Sequence, residues 1–344
     1  MSYPVALSPR VRAVLPGWHG PQAPAPTHQV PGAGDALERA LGWVEGALPR
    51  FDPAADGRAR PGPPGSALLE LVVVLRQLYH QDLPAPLAAR VGRCLDGAAE
   101  AFLRGGFRHR MLRATPYFQY YAWLVACLLD TGRLPAAERD ALQHLVDRGH
   151  ADLHNPTHPP HGVLELRYVL DLAGVTHRLP DHRTLYEADV LAAPLDPLYV
   201  TEVEAYAVTH VVYYLSDMGL IPLHSLDEAQ HADCVHAVDT LLDLYLCFGN
   251  WDLIAELLLC RPTLGAEHTP RDQYALECLL LAQHADGSMP GPHFDPRMHE
   301  ALPAERRADY AFARSYHTTL VVAMTLADRL YGQGRPDARN GAAR

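Results

Sequence analysis

The chain contains no lysine; all 29 of its cationic side chains are arginine. That excludes a Schiff-base lysine, a pyridoxal-phosphate lysine and the phosphate-cradling lysine of a P-loop. No apolar run approaches the length of a membrane span, and residues 1–20 hold no stretch of signal-peptide length, so a cytoplasmic protein is expected. No C-x-x-C pair occurs among Cys94, Cys127, Cys234, Cys247, Cys260 and Cys278. They read as reduced thiols in helices, not as a disulfide framework. Glycine-rich nucleotide loops and the G-x-S-x-G elbow are absent as well, which argues against a nucleotide cofactor and against an α/β-hydrolase. A net charge of −11 leaves no basic face for nucleic acid or an anionic membrane surface. Only two isoleucines, with arginine standing in for lysine, point to a GC-rich source genome.

What is present is helical periodicity. Residues 1–33, rich in Pro and Gly, read as an extended arm, residues 34–332 as a single domain and residues 333–344 as a disordered tail. Asp35 and Glu38 form a capping-box pattern opening a helix to about 48. Further helices are expected at 66–80, 86–104, 116–131, 136–149, 162–173, 199–217, 227–248, 251–260, 271–284 and 310–331, with no alternating strand between them. The fold class is therefore all-α.

A repeat runs through these helices: Leu129-Asp130-Thr-Gly132, Leu170-Asp171-Leu-Ala-Gly174 and Leu215-Ser-Asp217-Met-Gly219. Glycine past a helix end and proline soon after terminate each copy. The aspartates stand 41 and 46 positions apart, one helical hairpin per repeat. Five to six hairpins with long, uneven loops at 150–161, 175–198 and 285–309 favour a closed (α/α) toroid or barrel over an open solenoid.

One helix carries both an apolar face (Val208, Val211, Val212, Leu215) and a polar-aromatic stripe (Glu202, Tyr206, Thr209, His210, Tyr213, Asp217). In a ring, that stripe lines the central hollow. Asp252, Glu256 and Cys260 share one face of the helix that follows Asn250-Trp251, with two acids one turn apart suited to acid/base work or to a metal. Asp217 and Glu256 are the pair that a glycan-processing hollow would set opposite each other. Glu165 and Arg167 read as a buried ion pair on a leucine-rich helix. The loop holding His150, His154, His158 and His161 is stiffened by proline and suggests adventitious metal binding or none.

The last helix contains Ser315-Tyr316-His317-Thr318-Thr319, which resembles the Tyr-His-Thr segment of protein prenyltransferase β subunits; Gln283-His-Ala-Asp286-Gly287-Ser288 is similar to a Q-x-x-D-G-S turn of the same (α/α) toroid superfamily, shared with terpenoid cyclases. The resemblance implies a zinc-ligand role for His317. The Asp-x-Cys pair of the prenyltransferases and the acidic motifs of the cyclases are missing. Leu170–Gly174 and Thr209-His210 are also similar to actinobacterial domains of unknown function.

These readings lead to an enzyme of bacterial specialised metabolism, a cyclase, lyase or transferase performing cyclisation or addition at an electrophilic carbon of a small-molecule or peptide substrate. His210, Asp252, Glu256 and His317 are the expected catalytic residues; Tyr206, Tyr213, Asp217, Trp251 and Tyr316 are expected to contact substrate. Zinc, if held, would draw on His317, His210, Asp252 and Cys260. The rival expectations are a toroid or solenoid that binds a peptide or carrier protein without catalysis, and a glycan-processing toroid.

Overall fold

A computed structural model describes residues 31–53, 65–104, 117–150, 159–192, 196, 199–221, 223 and 226–332. The arm before residue 31, the tail after 332, and His154 and His158 lie outside the described residues. Among the described residues the regular structure is helical, as expected: α1 Ala33–Gly46, α2 Leu48–Phe51, α3 Ser66–Tyr79, α4 Ala85–Leu103, α5 Phe118–Asp130, α6 Ala137–Asp147, α7 Pro160–Leu172, α8 His182–Glu187, α9 Glu202–Leu215, α10 Glu228–Phe248, α11 Trp251–Thr263, α12 Pro270–Ala282, α13 Pro296–Ala301 and α14 Ala304–Tyr331.

Local chemistry explains most boundaries and corrects a few. The expected capping box at Asp35 and Glu38 does not form; α1 starts at Ala33 behind Gly32, and Asp35 sits in the first turn, where it favours the helix dipole. A true capping box occurs at Thr201 and Glu204, and it sets the start of α9 three residues later than the periodicity suggests. The long loops 175–198 and 285–309 contain the short helices α8 and α13. Asp181 and Asp295 cap them, accepting from backbone N–H groups of Thr184, and of Arg297 and Met298.

The packing forms a circuit. Helix α3 packs on α5, α5 on α7, α7 on α9, α9 on α11, α11 on α14, and α14 returns to α3. The remaining long helices lean on this circuit: α4 on α3, α6 on α5, α10 and α12 on α11, and α1 on α14. The burial follows. On α11 the run Asp252–Arg261 is buried without a break, and on α14 so is Thr318–Asp328, as expected for helices covered on both sides.

The repeat glycines behave as their sequence context requires, with φ of 71° at Gly132, 67° at Gly174 and 80° at Gly219. Their aspartates carry a second duty. Arg76, only 3% exposed near the end of α3, donates to Asp130 Oδ2 at 2.6 Å and forks onto Asp217 at 2.7 and 3.1 Å. Tyr168 of α7 donates to Asp217 at 2.6 Å. The C-terminal parts of α3, α5, α7 and α9 therefore meet, so the four helices run in the same direction. Asp217 and the next residue, Met218, hold φ of 50° and 55°, a region unfavourable for side-chain-bearing residues and retained only where neighbours over-determine it. The hydrogen bond from His80, and after burial's opposing pull the charge of Arg76, bring the Asp130 carboxyl down to about 2.

The Gln283–Ser288 turn is a staple. Gln283 donates to the carbonyls of Ala36 and Gly287, Arg39 donates to Gln283, and Ser288 donates to Asp286. Gly287 has φ 93°, and a Cβ there would stand 2.3 Å from the Arg39 carbonyl oxygen, so only glycine permits this seat of α1.

Two outcomes follow for the Arg76 cluster. Replacing Arg76 by Met takes the shared guanidinium from both aspartates, leaving only His80 on Asp130 and Tyr168 on Asp217, and should cost roughly 3 kcal/mol in a denaturant titration. Because the Asp130 pKa is depressed, its contribution is complete above about pH 3.9 and is lost as pH falls toward about 2. Acid unfolding of Arg76→Met should consequently begin at higher pH than in the unaltered protein.

Candidate functional site

The circuit encloses a cavity of about 370 Å³ to which all six of its helices contribute lining residues. Glu70, Val73 and Val74 come from α3, Tyr120 and Trp123 from α5, and Glu165 from α7. The rest of the wall includes His210, Tyr213 and Tyr214 of α9, Glu256 of α11 and His317, Leu320 and Met324 of α14. Glu70 and Glu256 lie in the N-terminal halves of α3 and α11, and His210 lies just past the middle of α9.

Each polar group has a reason to be where it is. Asp252 and Glu256 lie one turn apart on α11, the first in the turn where the dipole favours an anion. The α9 stripe faces them. Tyr206 donates to Asp252 Oδ2 at 2.6 Å, Thr209 donates to Glu256 Oε2, and Tyr213 donates to the Glu256 backbone carbonyl at 2.9 Å. His210 Nδ1 lies 2.7 Å from the Tyr206 carbonyl and 3.8 Å from Glu256 Oε2. A carbonyl only accepts, which places the His210 proton on Nδ1.

His317 is the meeting point. Its Nδ1 lies 2.9 Å from Glu70 Oε2, and its Nε2 lies 3.2 Å from Asp252 Oδ2 and 3.6 Å from Glu256 Oε1. Burial alone would discharge this ring, but the charges of Asp252 and Glu70 and the bonds to Asp252 and Glu256 hold its pKa well above the usual histidine value. Asp252 responds in the opposite sense: burial pulls its carboxyl up, and the charge and hydrogen bond of His317, with Tyr206 and Thr318, more than reverse it. Asp252 and Glu256 are 1% and 2% exposed, while the open part of His317 faces the cavity it lines.

His210, Asp252, Glu256 and His317, expected at one site, do share one neighbourhood. The remaining expectations divide. Tyr213 lines the cavity; Tyr206 acts by holding Asp252; Tyr316 packs its ring on Phe312 and donates to Glu70 at 3.2 Å, standing behind the wall. Trp251 packs beside Gly249 and is not among the lining residues. Asp217 is bound to Arg76 and also lies off the lining, so the opposed Asp217–Glu256 pair of a glycan-processing hollow is not formed. Cys260 is buried with its Sγ 3.8 Å from the Thr209 carbonyl, and burial keeps it a thiol by pushing its pKa well up.

The expected Glu165–Arg167 pair does not form, because residues two apart point to different sides of a helix. Arg167 instead binds Asp171 and the carbonyls of Leu179 and Pro180, while Glu165 enters the cavity and accepts from Trp123 Nε1 at 2.7 Å. Glu70 and Glu165 are thus the site residues that sequence reasoning missed. Each had a signal: a lone acid on an otherwise leucine- and valine-rich face.

The donor set bears on a metal. Asp252, Glu256 and His317 bring one ligand atom each within 4.8 Å of one another. The 3.2 and 3.6 Å spans from His317 Nε2 bracket the roughly 3.3–3.4 Å edge of a zinc tetrahedron with bonds of about 2.0–2.1 Å. Glu70 on Nδ1 is the outer carboxylate that metal-ligating histidines commonly carry. The residues fit zinc without Cys260 or His210, neither of which belongs to this donor group.

Geometry thus defines an all-α helical protein with a half-open cavity and a carboxylate-clamped histidine on its wall. Residues 37–327 match the family described as a domain of unknown function, DUF6895, and the chain belongs to that family. No curated protein matches it.

In an NMR titration the His317 ring should hold its proton to higher pH than an unperturbed imidazole, and Glu70→Gln combined with Asp252→Asn should lower its midpoint. Because its folded pKa is raised, its stabilising effect is complete below the unfolded value and is lost as pH rises through the folded value.

Proposed function

We propose that the chain is an enzyme acting within the hollow, and that it catalyses addition or cyclisation at an electrophilic carbon. The observation that carries this reading is a proton-bearing imidazole, held by three carboxylates, that opens onto a cavity where Glu165 and His210 stand among aliphatic and aromatic side chains. Such a site can move a proton. For an addition, a carboxylate of the Asp252–Glu256 pair takes the nucleophile's proton, and His317 delivers a proton to the carbon beside the one attacked, so atoms balance with no leaving group. Tyr206 and Thr209 fix the carboxylates. Tyr213, Tyr214 and Trp123 present faces that favour positive character on the substrate. The circuit of alternating helices, with the Ser315–Thr319 and Gln283–Ser288 resemblances, supports placing the fold beside the (α/α) toroids of the terpenoid cyclases and prenyltransferases.

Zinc is the second reading, favoured by the donor spacing. Asp252, Glu256 and His317 would hold it, and it would supply Lewis acidity or keep a bound thiol ionised. Protein purified without an affinity tag or chelator should contain close to one equivalent by elemental analysis, and chelation should lower its melting temperature. Absence of bound metal together with full stability in chelator would remove zinc and leave the acid/base form.

Catalysis is tested against a binding role by incubating the protein with allylic and activated-alkene substrates and following consumption by mass spectrometry. Loss of one proton-transfer partner typically costs about 10²–10⁴ in rate, so His317→Ala and Asp252→Asn should abolish turnover. A peptide- or carrier-binding protein would show no turnover and would tolerate both changes with modest loss of affinity.

A further inference from the structure

Elsewhere in this protein several acids meet arginine: Asp130 and Asp217 bind Arg76, Asp52 binds Arg104, and Asp239 and Asp272 bind Arg261. The hollow breaks that pattern. Its lining includes Glu70, Glu165 and Glu256 and no arginine, and Asp252 stands directly behind. His317 is shared among Glu70, Asp252 and Glu256, which leaves Glu165 without a strong cationic partner of its own.

Glu165 stands among aromatic faces. Trp123 Nε1 donates to it at 2.7 Å, Tyr214 hydrogen-bonds to it, and Tyr120 lies within the field of both Glu165 and Glu70. Trp123, Tyr168 and Tyr214 stack with centroids 5.3–6.1 Å apart, which fixes that wall. The cavity thus sets the Glu165 carboxylate and its aromatic neighbours beside an aliphatic stretch of Val73, Leu320 and Met324.

From this arrangement we infer that the hollow recognises an organic ammonium ligand, its cationic head seated against Glu165 between Trp123, Tyr120 and Tyr214 and its apolar body lying along Val73, Leu320 and Met324. The inference rests on the hollow being the ligand site, as proposed above. Aromatic faces attract ammonium groups through their quadrupole, and a carboxylate beside them supplies the directed hydrogen bond. Burial holds the Glu165 pKa up against the opposing influence of Trp123 and His210, and an ammonium seated beside it favours the charged carboxylate.

The test uses the full chain in chelator, with 4-phenylbutylammonium and its neutral isostere 4-phenylbutanol as probes in calorimetry. The ammonium should bind about tenfold or more tighter than the alcohol, in line with a charge-assisted hydrogen bond. Glu165→Gln should erase the preference while leaving alcohol affinity unchanged. Tyr120→Leu, at a half-buried position, should weaken the ammonium alone and serves if the Gln variant fails to fold. Equal affinity for the two probes in the unaltered protein overturns the ammonium inference yet keeps the hollow as a ligand site. Failure of both probes to bind overturns the inference and the reading beneath it.

Discussion

The ion cluster at Arg76 is the constraint on which the rest depends. One guanidinium draws in Asp130 and Asp217, Tyr168 completes the set, and four helices are thereby fixed at one end. A planar fork with five donors can satisfy several acceptors at once, which an ammonium cannot do. With those ends held, α3, α7 and α9 bring Glu70, Glu165 and His210 to a common space, and α11 and α14 complete it with Glu256 and His317. Two of the three repeat aspartates that mark hairpin ends in the sequence, Asp130 and Asp217, are therefore also anchors of the fold.

Charge is distributed unevenly between the two ends. Acids near the Arg76 cluster are neutralised by arginine, and acids in the hollow are served by histidine and by hydroxyl donors from Tyr206 and Thr209. The difference is chemical in consequence. An arginine never releases its proton in a protein, whereas imidazole and carboxyl groups exchange theirs. The end built for rigidity carries fixed charge, and the end facing the cavity carries movable protons.

Much of this was legible in sequence because it is local. The periodicity of α9 separates Val208, Val211 and Val212 from Tyr206, His210 and Tyr213, and the Asp252–Glu256 spacing puts both acids on one face. Glycine past the helix ends marked three of the hairpins. What stayed hidden is relational. Nothing in residues 202–217 says that the stripe's last member, Asp217, bends away to an arginine on α3, since the partner stands 141 positions earlier. Glu165 looked like half of an ion pair because Arg167 is adjacent in sequence; the helix turns the two apart. Glu70 is joined to His317 across 247 positions, and only closure of the circuit reveals the pair.

The circuit is sealed where α14, the last helix, lies against α3, one of the first. During synthesis the side of α3 that carries Glu70, Val73 and Val74 therefore has to wait, uncovered, until His317–Met324 has been made. Contacts so distant along the chain are slow to form and leave apolar surface open to wrong partners in the interval. Trp43 stacked on Phe312, and Phe51 edge-on to the same ring, likewise join α1 and α2 to α14. Assembly of this protein is thus an end-stage event in which shutting the ring and completing the wall that carries His317 are one step, so a nascent chain arrested before α14 lacks both a sealed core and a working cavity.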